Sequence, residues 1–168
     1  NGLAALGYAL MWTGFRALDR RPVHVLVVLA GPLLWSAAYF GLRPVAEDVN
    51  KRIILTSLII SGYSIWFGLD IWRGRLGERL PTRSVAAIFF MTHGVIYFLR
   101  VPMAVVSPAP MENGTAYSTW FALFSLELFA HTILAAVAML VLIKERGEAR
   151  YRKASRTDSL TGIANRGS

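Results

Sequence analysis

The stretch from Tyr117 to Ile143, YSTWFALFSLELFAHTILAAVAMLVLI, decides the fold of this 168-residue chain. Apart from the phenol of Tyr117, its only ionisable side chains are those of Glu127 and His131. A helix needs about 20 mostly apolar residues to cross the hydrocarbon core of a bilayer. The stretch therefore predicts a membrane-spanning helix rather than the core of a water-soluble domain.

Three more long apolar segments lie upstream, at roughly 22–42, 53–72 and 85–106, and a shorter one covers Gly2 to Phe15. The composition agrees with this pattern, since 55% of the residues are hydrophobic, 17% are charged and the mean hydropathy is +0.47. We predict an all-α, polytopic transmembrane helix bundle with at least five spans. Because the first segment is short and follows Asn1 rather than a methionine, we expect its beginning to be missing.

Composition also excludes several classes of protein. The chain has no cysteine, which removes disulfides and thiolate metal sites. Its net charge of +8 is spread over the segments between the apolar stretches and the carboxyl-terminal tail. A nucleic-acid-binding protein would gather its basic residues into one continuous patch, so we expect no nucleic-acid partner.

The distribution of basic residues predicts the orientation in the membrane. Alternating from the tail, segments 16–21, 73–83 and 144–168 lie on one side and contain fourteen Lys and Arg residues. Segments 43–52 and 107–116 lie on the other side and contain three. By the positive-inside rule, the basic side and the carboxyl terminus are cytoplasmic. The outer loops are too short to form a ligand-binding domain.

Four ionisable residues fall inside the predicted spans: His93, Arg100, Glu127 and His131. Such residues are costly in a bilayer and are candidates for function by default. Glu127 and His131 share a helix face because they are four residues apart. A helix rises about 1.5 Å per residue, so the distance from the outer loop gives the depth of each residue in the membrane. By this estimate His93 and His131 lie at the same depth, and Arg100 lies close enough to Glu127 for its long side chain to reach it.

These four residues allow a structural and a functional interpretation. In the structural one, Arg100 and Glu127 neutralise each other and the histidines form neutral hydrogen bonds between helices. In the functional one, His93 and His131 bind a haem iron, or hold a metal ion together with Glu127. They could also titrate, or face a small lipid-soluble ligand such as a quinone. The sequence leaves these alternatives open.

Two other features have structural interpretations. Asp70 ends the third predicted span beside Trp72 and Arg73, where an interfacial ion pair is expected. The pair Gly31-Pro32 lies inside the second span. Proline removes a hydrogen-bond donor, so we expect a neighbouring helix or side chain to satisfy the freed carbonyl group.

Residues 144–157 predict a signalling helix that continues the last span out of the membrane. The segment is rich in charge and has no turn signal apart from Gly147. A thin apolar stripe follows it at coiled-coil spacing, which fits either a short coiled-coil seam between two chains or a solvated linker whose basic residues lie on anionic headgroups. Its members are Leu140, Ile143, Gly147, Tyr151 and Ala154.

The segment from Thr157 to Arg166, TDSLTGIANR, resembles the first turn of a GGDEF domain, the cyclase fold that makes cyclic di-GMP. That turn typically reads Asp-x-Leu-Thr-Gly-x-x-Asn-Arg. Ala154 and Thr157 also fit the usual residues before it. The match falls on Asp158, Leu160, Thr161, Gly162, Asn165 and Arg166.

The resemblance implies a domain order: a transmembrane sensor over 1–143, a signalling helix over 144–157 and the start of a truncated GGDEF domain over 158–168. It implies a bacterial inner-membrane diguanylate cyclase that converts two GTP to cyclic di-GMP as a dimer. GTP and Mg would bind in the part of that domain that is absent here, so no residue of this chain is assigned a catalytic role. A transporter or channel fragment and a plain membrane anchor are the alternatives.

Overall fold

The chain forms a bundle of helices, and a computed structural model describes residues 1–74, 80–112 and 115–155. A two-residue antiparallel ribbon, β1 (Met111–Glu112) and β2 (Thr115–Ala116), is the only other regular structure in these ranges. The prediction of an all-α fold is confirmed. The helices are α1 (Gly2–Leu18), α2 (Val25–Gly41), α3 (Arg43–Glu47), α4 (Val49–Gly74), α5 (Pro81–Val106) and α6 (Thr119–Ser155).

Three of these helices, α4, α5 and α6, are long and apolar enough to cross a membrane. They contain the predicted segments 53–72 and 85–106 and nearly all of Tyr117–Ile143. The two other predicted spans form α1 and α2, which have 17 residues each. The membrane character of the chain therefore rests on the three long helices.

Glycine lets the backbones of α4 and α5 approach closely, and these two helices form the most extensive contact in the bundle. A Cβ atom on Gly68 would lie 2.8 Å from the carbonyl oxygen of Ala87. A Cβ atom on Gly94 would lie 3.0 Å from the backbone nitrogen of Ile65. Small residues at helix contacts are typical of membrane bundles, where close packing replaces the hydrophobic effect. The contact at Gly94 also fixes the position of its neighbour His93.

Helix α1 packs one face against this pair. The buried residues of that face recur at helical spacing, so the short first segment has a clear inner side. They are Ala5, Tyr8, Ala9, Trp12 and Phe15. This face places the phenol of Tyr8 and the indole of Trp12, each with one polar group, inside the bundle.

The proline in α2 has the neighbour that the sequence predicts. Helix α2 continues through Pro32, and the Tyr63 hydroxyl group from α4 lies against the turn before it. This hydroxyl donates to the carbonyl oxygen of Val27 at 2.6 Å and accepts from the amide of Gly31 at 3.0 Å. The carbonyl that Pro32 leaves without a donor, that of Val28, lies 3.5 Å from the same hydroxyl. Only glycine fits at position 31, because a Cβ atom there would lie 2.4 Å from the Tyr63 ring.

A tight turn ends α1 and aims its last side chains back at the bundle. The amide of Arg20 donates to the carbonyl of Ala17, and the amide of Arg21 donates to that of Arg16. Arg20 has a φ angle of 56°, so it occupies the left-handed position of a Schellman motif that usually holds glycine.

We therefore expect Arg20→Gly to stabilise the protein by about 1 kcal/mol, because an L residue is strained in this conformation. The side chain of Arg20 is exposed and makes no ion pair in the described part of the chain, so little else is lost. Thermal unfolding in detergent measures the effect. Arg20→Ala, which keeps the strain, is the control, and equal stability of the two variants would contradict the assignment.

Candidate functional site

Helices α5 and α6 bring three of the four predicted site residues together. The Nδ1 atom of His93 lies 2.7 Å from Oε1 of Glu127. The rings of His93 and His131 stack in parallel, with centroids 3.5 Å apart and planes 9° apart. Both histidines are buried, and Glu127 is 27% exposed. The equal depth of the two histidines, estimated from sequence, thus corresponds to direct contact.

A third helix contributes Tyr8 to this cluster. Its hydroxyl oxygen lies 2.6 Å from Nε2 of His93. An ionised Glu127 can only accept hydrogen bonds, so His93 donates through Nδ1 and accepts from Tyr8 through Nε2. The three side chains form a hydrogen-bonded chain from α1 through α5 to α6. We call Tyr8, His93, Glu127 and His131 the intramembrane cluster.

The intramembrane cluster has unused hydrogen-bonding capacity. Within the described residues, Oε2 of Glu127 and Nε2 of His131 are buried and have no hydrogen-bond partner. The His131 ring is held instead by stacking, on His93 on one side and on Phe89 at 4.4 Å. Buried polar atoms are normally satisfied, so two unsatisfied polar atoms in one cluster point to a missing partner.

The donor atoms lie close enough to hold a metal ion. One ligand atom from each of His93, Glu127 and His131 can be chosen so that all three lie within 4.8 Å of one another. Axial haem ligation requires two imidazoles on opposite faces of the ring, each with a nitrogen aimed at the iron. The parallel stack at 3.5 Å leaves no such gap for a haem, whereas an ion requires only that the rings turn so that one nitrogen of each faces it.

Arg100 takes a different position from the one expected. No ion pair within 4.0 Å joins Arg100 to Glu127 in the described part of the chain. Its guanidinium group lies over the rings of Tyr97, Phe121 and Phe124, at 4.9 to 5.8 Å from their centroids. Cation–π contacts with a desolvated guanidinium are favourable, and three rings surround this one. Arg100 thus does not form the direct ion pair with Glu127 that the structural interpretation expects, and His93 contacts Oε1 of that carboxylate instead.

A second polar cluster, which the sequence reasoning did not assemble, lies at the other end of the bundle. It joins the ends of α1, α4, α5 and α6 and the turn after α1. We call it the basic end, defined as Arg16, Asp19, Arg21, Asp70, Arg83 and Arg146. Its two carboxylates are each held by several guanidinium groups.

Asp70 is the first of these carboxylates, and it forms the ion pair that was predicted but with other partners. Arg16 donates to it at 2.7 Å and Arg21 at 3.3 Å, while the indole of Trp12 donates at 3.0 Å. These partners come from α1 and the turn after it, whereas the neighbours in sequence were Trp72 and Arg73. Helix packing therefore decided the pairing.

Asp19 is the second carboxylate, and it holds α6 where that helix passes the end of the bundle. It pairs with Arg83 of α5 and, at 2.9 Å, with Arg146 of α6. Arg146 also donates to the carbonyl oxygen of Leu18 at 2.6 Å. Next to it, Glu145 accepts from the backbone and side chain of Thr82. Two consecutive residues of α6 are thus attached to α1 and α5.

Beyond this attachment α6 is exposed. Glu148 pairs with Arg152 at 3.8 Å and with Lys144 at 3.8 Å. Surface pairs of this kind contribute little to stability. Tyr151, in the predicted apolar stripe, is 77% exposed.

The His93–Glu127 contact should show strong energetic coupling. His93→Phe leaves the carboxylate of Glu127 without its donor and Tyr8 without its acceptor, so a loss of about 3 kcal/mol is expected. Glu127→Leu in the same chain removes the stranded charge and should restore part of the loss. Unfolding measurements on both single variants and the double variant give the coupling energy. Single effects that add within about 0.5 kcal/mol would show that the contact is not formed.

Asp19→Asn should loosen the root of α6. The substitution keeps the shape of the side chain but leaves Arg83 and Arg146 without a carboxylate. Removing one partner of a buried ion pair lowers the free energy of unfolding by about 3–5 kcal/mol. Hydrogen exchange should speed up over 140–152 more than over α4. The control is Asp48→Asn, which breaks an exposed pair with Lys51 and should cost less than about 1 kcal/mol. Equal hydrogen-exchange protection of α6 in Asp19→Asn and in Asp48→Asn would show that Asp19 does not hold α6.

Comparison with known proteins adds no assignment to this geometry. No protein-family model, curated protein or solved structure matches the chain. The GGDEF-like motif, from Asp158 to Arg166, and Thr157 lie outside the described residues. What the chain does must therefore be inferred from the two clusters and from α6, which connects them to the motif.

Proposed function

We propose that this chain is the membrane-embedded sensory and dimerising module of a diguanylate cyclase. The observation that carries the proposal is the continuity of α6. One unbroken helix holds Glu127 and His131 of the intramembrane cluster, passes Arg146 at the basic end and reaches Ser155. The GGDEF-like motif begins at Asp158, three residues later.

The length of α6 supports an exit from the membrane. Its 37 residues extend about 55 Å, whereas the hydrocarbon core is about 30 Å thick. Charged residues begin at Lys144, after a long apolar run. The part from Lys144 onwards therefore extends into water, as a signalling helix would.

Five spans and a cytoplasmic carboxyl terminus are part of the proposal. At 17 residues, α1 and α2 meet the lower limit for a spanning helix. Parts of the three segments assigned to the inside, 16–21, 73–83 and 144–168, meet at the basic end. Their meeting at one end of the bundle supports the orientation inferred from charge, in a bacterial inner membrane.

Homodimerisation through α6 is part of the proposal, and the exposed part of the apolar stripe supports it. In the bilayer, lipid can cover exposed residues such as Leu140. Beyond Ile143 the stripe faces water, and yet it includes the large ring of Tyr151. A second copy of α6 would cover this ring and bring two cyclase domains face to face, each with its own GTP and Mg.

A signal would act through the two attachments of α6. The intramembrane cluster holds α6 to α5 and α1 inside the bilayer, and the basic end holds it where it leaves the bundle. A change at Glu127 alters the first attachment, and α6 then shifts or rotates about the second. In this scheme the cluster reports a ligand to the cyclase through the position of one rigid helix.

Expression of the whole reading frame in a bacterium without cyclases of its own tests the proposal. We expect cyclic di-GMP to accumulate, and Glu127→Gln to change its level severalfold at equal amounts of protein in the membrane. Glu148→Gln, an exposed position on the same helix, is the matched control and should have no effect.

Each outcome has a separate meaning. Absence of cyclic di-GMP above background would overturn the cyclase assignment. If cyclic di-GMP accumulates equally in Glu127→Gln and in the unsubstituted protein, the membrane part is a plain anchor for the cyclase. The sensing role would then be wrong.

A further inference from the structure

We infer that the intramembrane cluster is a binding site for a divalent transition-metal ion, with His93, Glu127 and His131 as ligands. The inference deepens the proposed function, on which it rests for its biological meaning, by naming the class of ligand that is sensed. Its test measures metal binding and not cyclase activity, so the metal site can be disproved while the cyclase assignment stands.

The first argument is the set of donor atoms. Two imidazole nitrogens and one carboxylate oxygen, with ligand atoms within 4.8 Å of one another, come from two adjacent helices. Zinc and iron are commonly bound by two histidines and one carboxylate. Calcium and magnesium prefer oxygen ligands alone, so the site should reject them.

The second argument is the pair of unsatisfied atoms. Nε2 of His131 and Oε2 of Glu127 are buried without a hydrogen-bond partner, and His131 is only 4% exposed. One cation would satisfy both atoms. It would also neutralise the carboxylate, whose charge is unfavourable inside a bilayer.

The third argument is the position of Tyr8. A ligating histidine usually donates its second ring N–H to an oxygen, which fixes the ring. If Nδ1 of His93 turns from Glu127 to an ion, the remaining proton sits on Nε2, 2.6 Å from the Tyr8 oxygen. Tyr8 is therefore a positioning residue for His93, and it ties α1 to the site.

Three protein ligands leave at least one coordination position for water or a small molecule. Binding would draw α6 towards α5 through Glu127 and His131, which lie one helical turn apart on α6. The ion would thus act on the helix that leaves the membrane.

Metal binding to the 168-residue chain tests the inference, using protein purified in detergent through a tag without histidine. Zn²⁺, Co²⁺ as a spectroscopic probe, and Fe²⁺ without oxygen are titrated separately, with Mg²⁺ as the negative control. We expect one transition-metal ion per chain, a visible Co²⁺ spectrum, a higher unfolding temperature and no effect of Mg²⁺.

Two shape-preserving variants identify the ligands. His131→Phe keeps an aromatic ring in the stack, and Glu127→Gln keeps the side-chain volume, so both should fold. Substituting groups outside the coordination sphere usually weakens binding 10–100-fold, so loss of a ligand should weaken it by at least about 100-fold. Tyr8→Phe should weaken it about 10–100-fold.

The matched controls are His24→Ala and Glu148→Gln, at exposed positions of α2's start and of α6. They should bind metal like the unsubstituted protein. The inference is overturned if the folded protein binds none of the three metals. It is also overturned if His131→Phe and Glu127→Gln, shown to be folded by circular dichroism, keep the original affinity.

Discussion

The structure depends on the position of one carboxylate, Glu127, in the middle of an apolar helix. An ionised side chain at this depth is unfavourable by a few kcal/mol unless other groups satisfy it. His93 supplies a hydrogen bond at 2.7 Å, and the same imidazole reaches Tyr8 at 2.6 Å. The polar chain therefore fixes how α6 meets α5 and α1. The apolar contacts of α6 on the same side come from small and medium side chains, among them Ala135 and Leu142.

The basic end is a second constraint on the same helix. Arg146 is held by Asp19 and the carbonyl of Leu18, and Glu145 is held by Thr82. Glu127 and Arg146 lie about 28 Å apart along the helix. Helix α6 is thus attached by polar contacts at two depths, with Ala135 and Leu142 buried against the bundle between them and exposed residues from Gly147 to Arg152 beyond them.

Three features were predictable from the sequence: the apolar helices, the equal depth of His93 and His131, and a neighbouring helix or side chain at the break before Pro32, although not that Tyr63 supplies it. Those features follow from composition, from the rise of a helix and from the chemistry of proline. The contacts of Asp70, Asp19 and Arg100 were not predictable in this way. Each depends on which helix faces which, and a one-dimensional sequence offers several partners of the right charge. Tyr8 was missed because a lone tyrosine in an apolar segment usually serves only packing.

Whether the intramembrane cluster sets the position of the signalling helix can be measured with two spin labels. The chain has no cysteine, so Val85→Cys on α5 and Tyr151→Cys on α6 label two exposed positions without background. Labelled chains are diluted with unlabelled ones, and the distance distribution is recorded with Glu127 and with Glu127→Gln. The account predicts that the distribution shifts or broadens in the variant, while Glu148→Gln leaves it unchanged. Identical distributions in all three proteins would contradict the coupling of the cluster to α6.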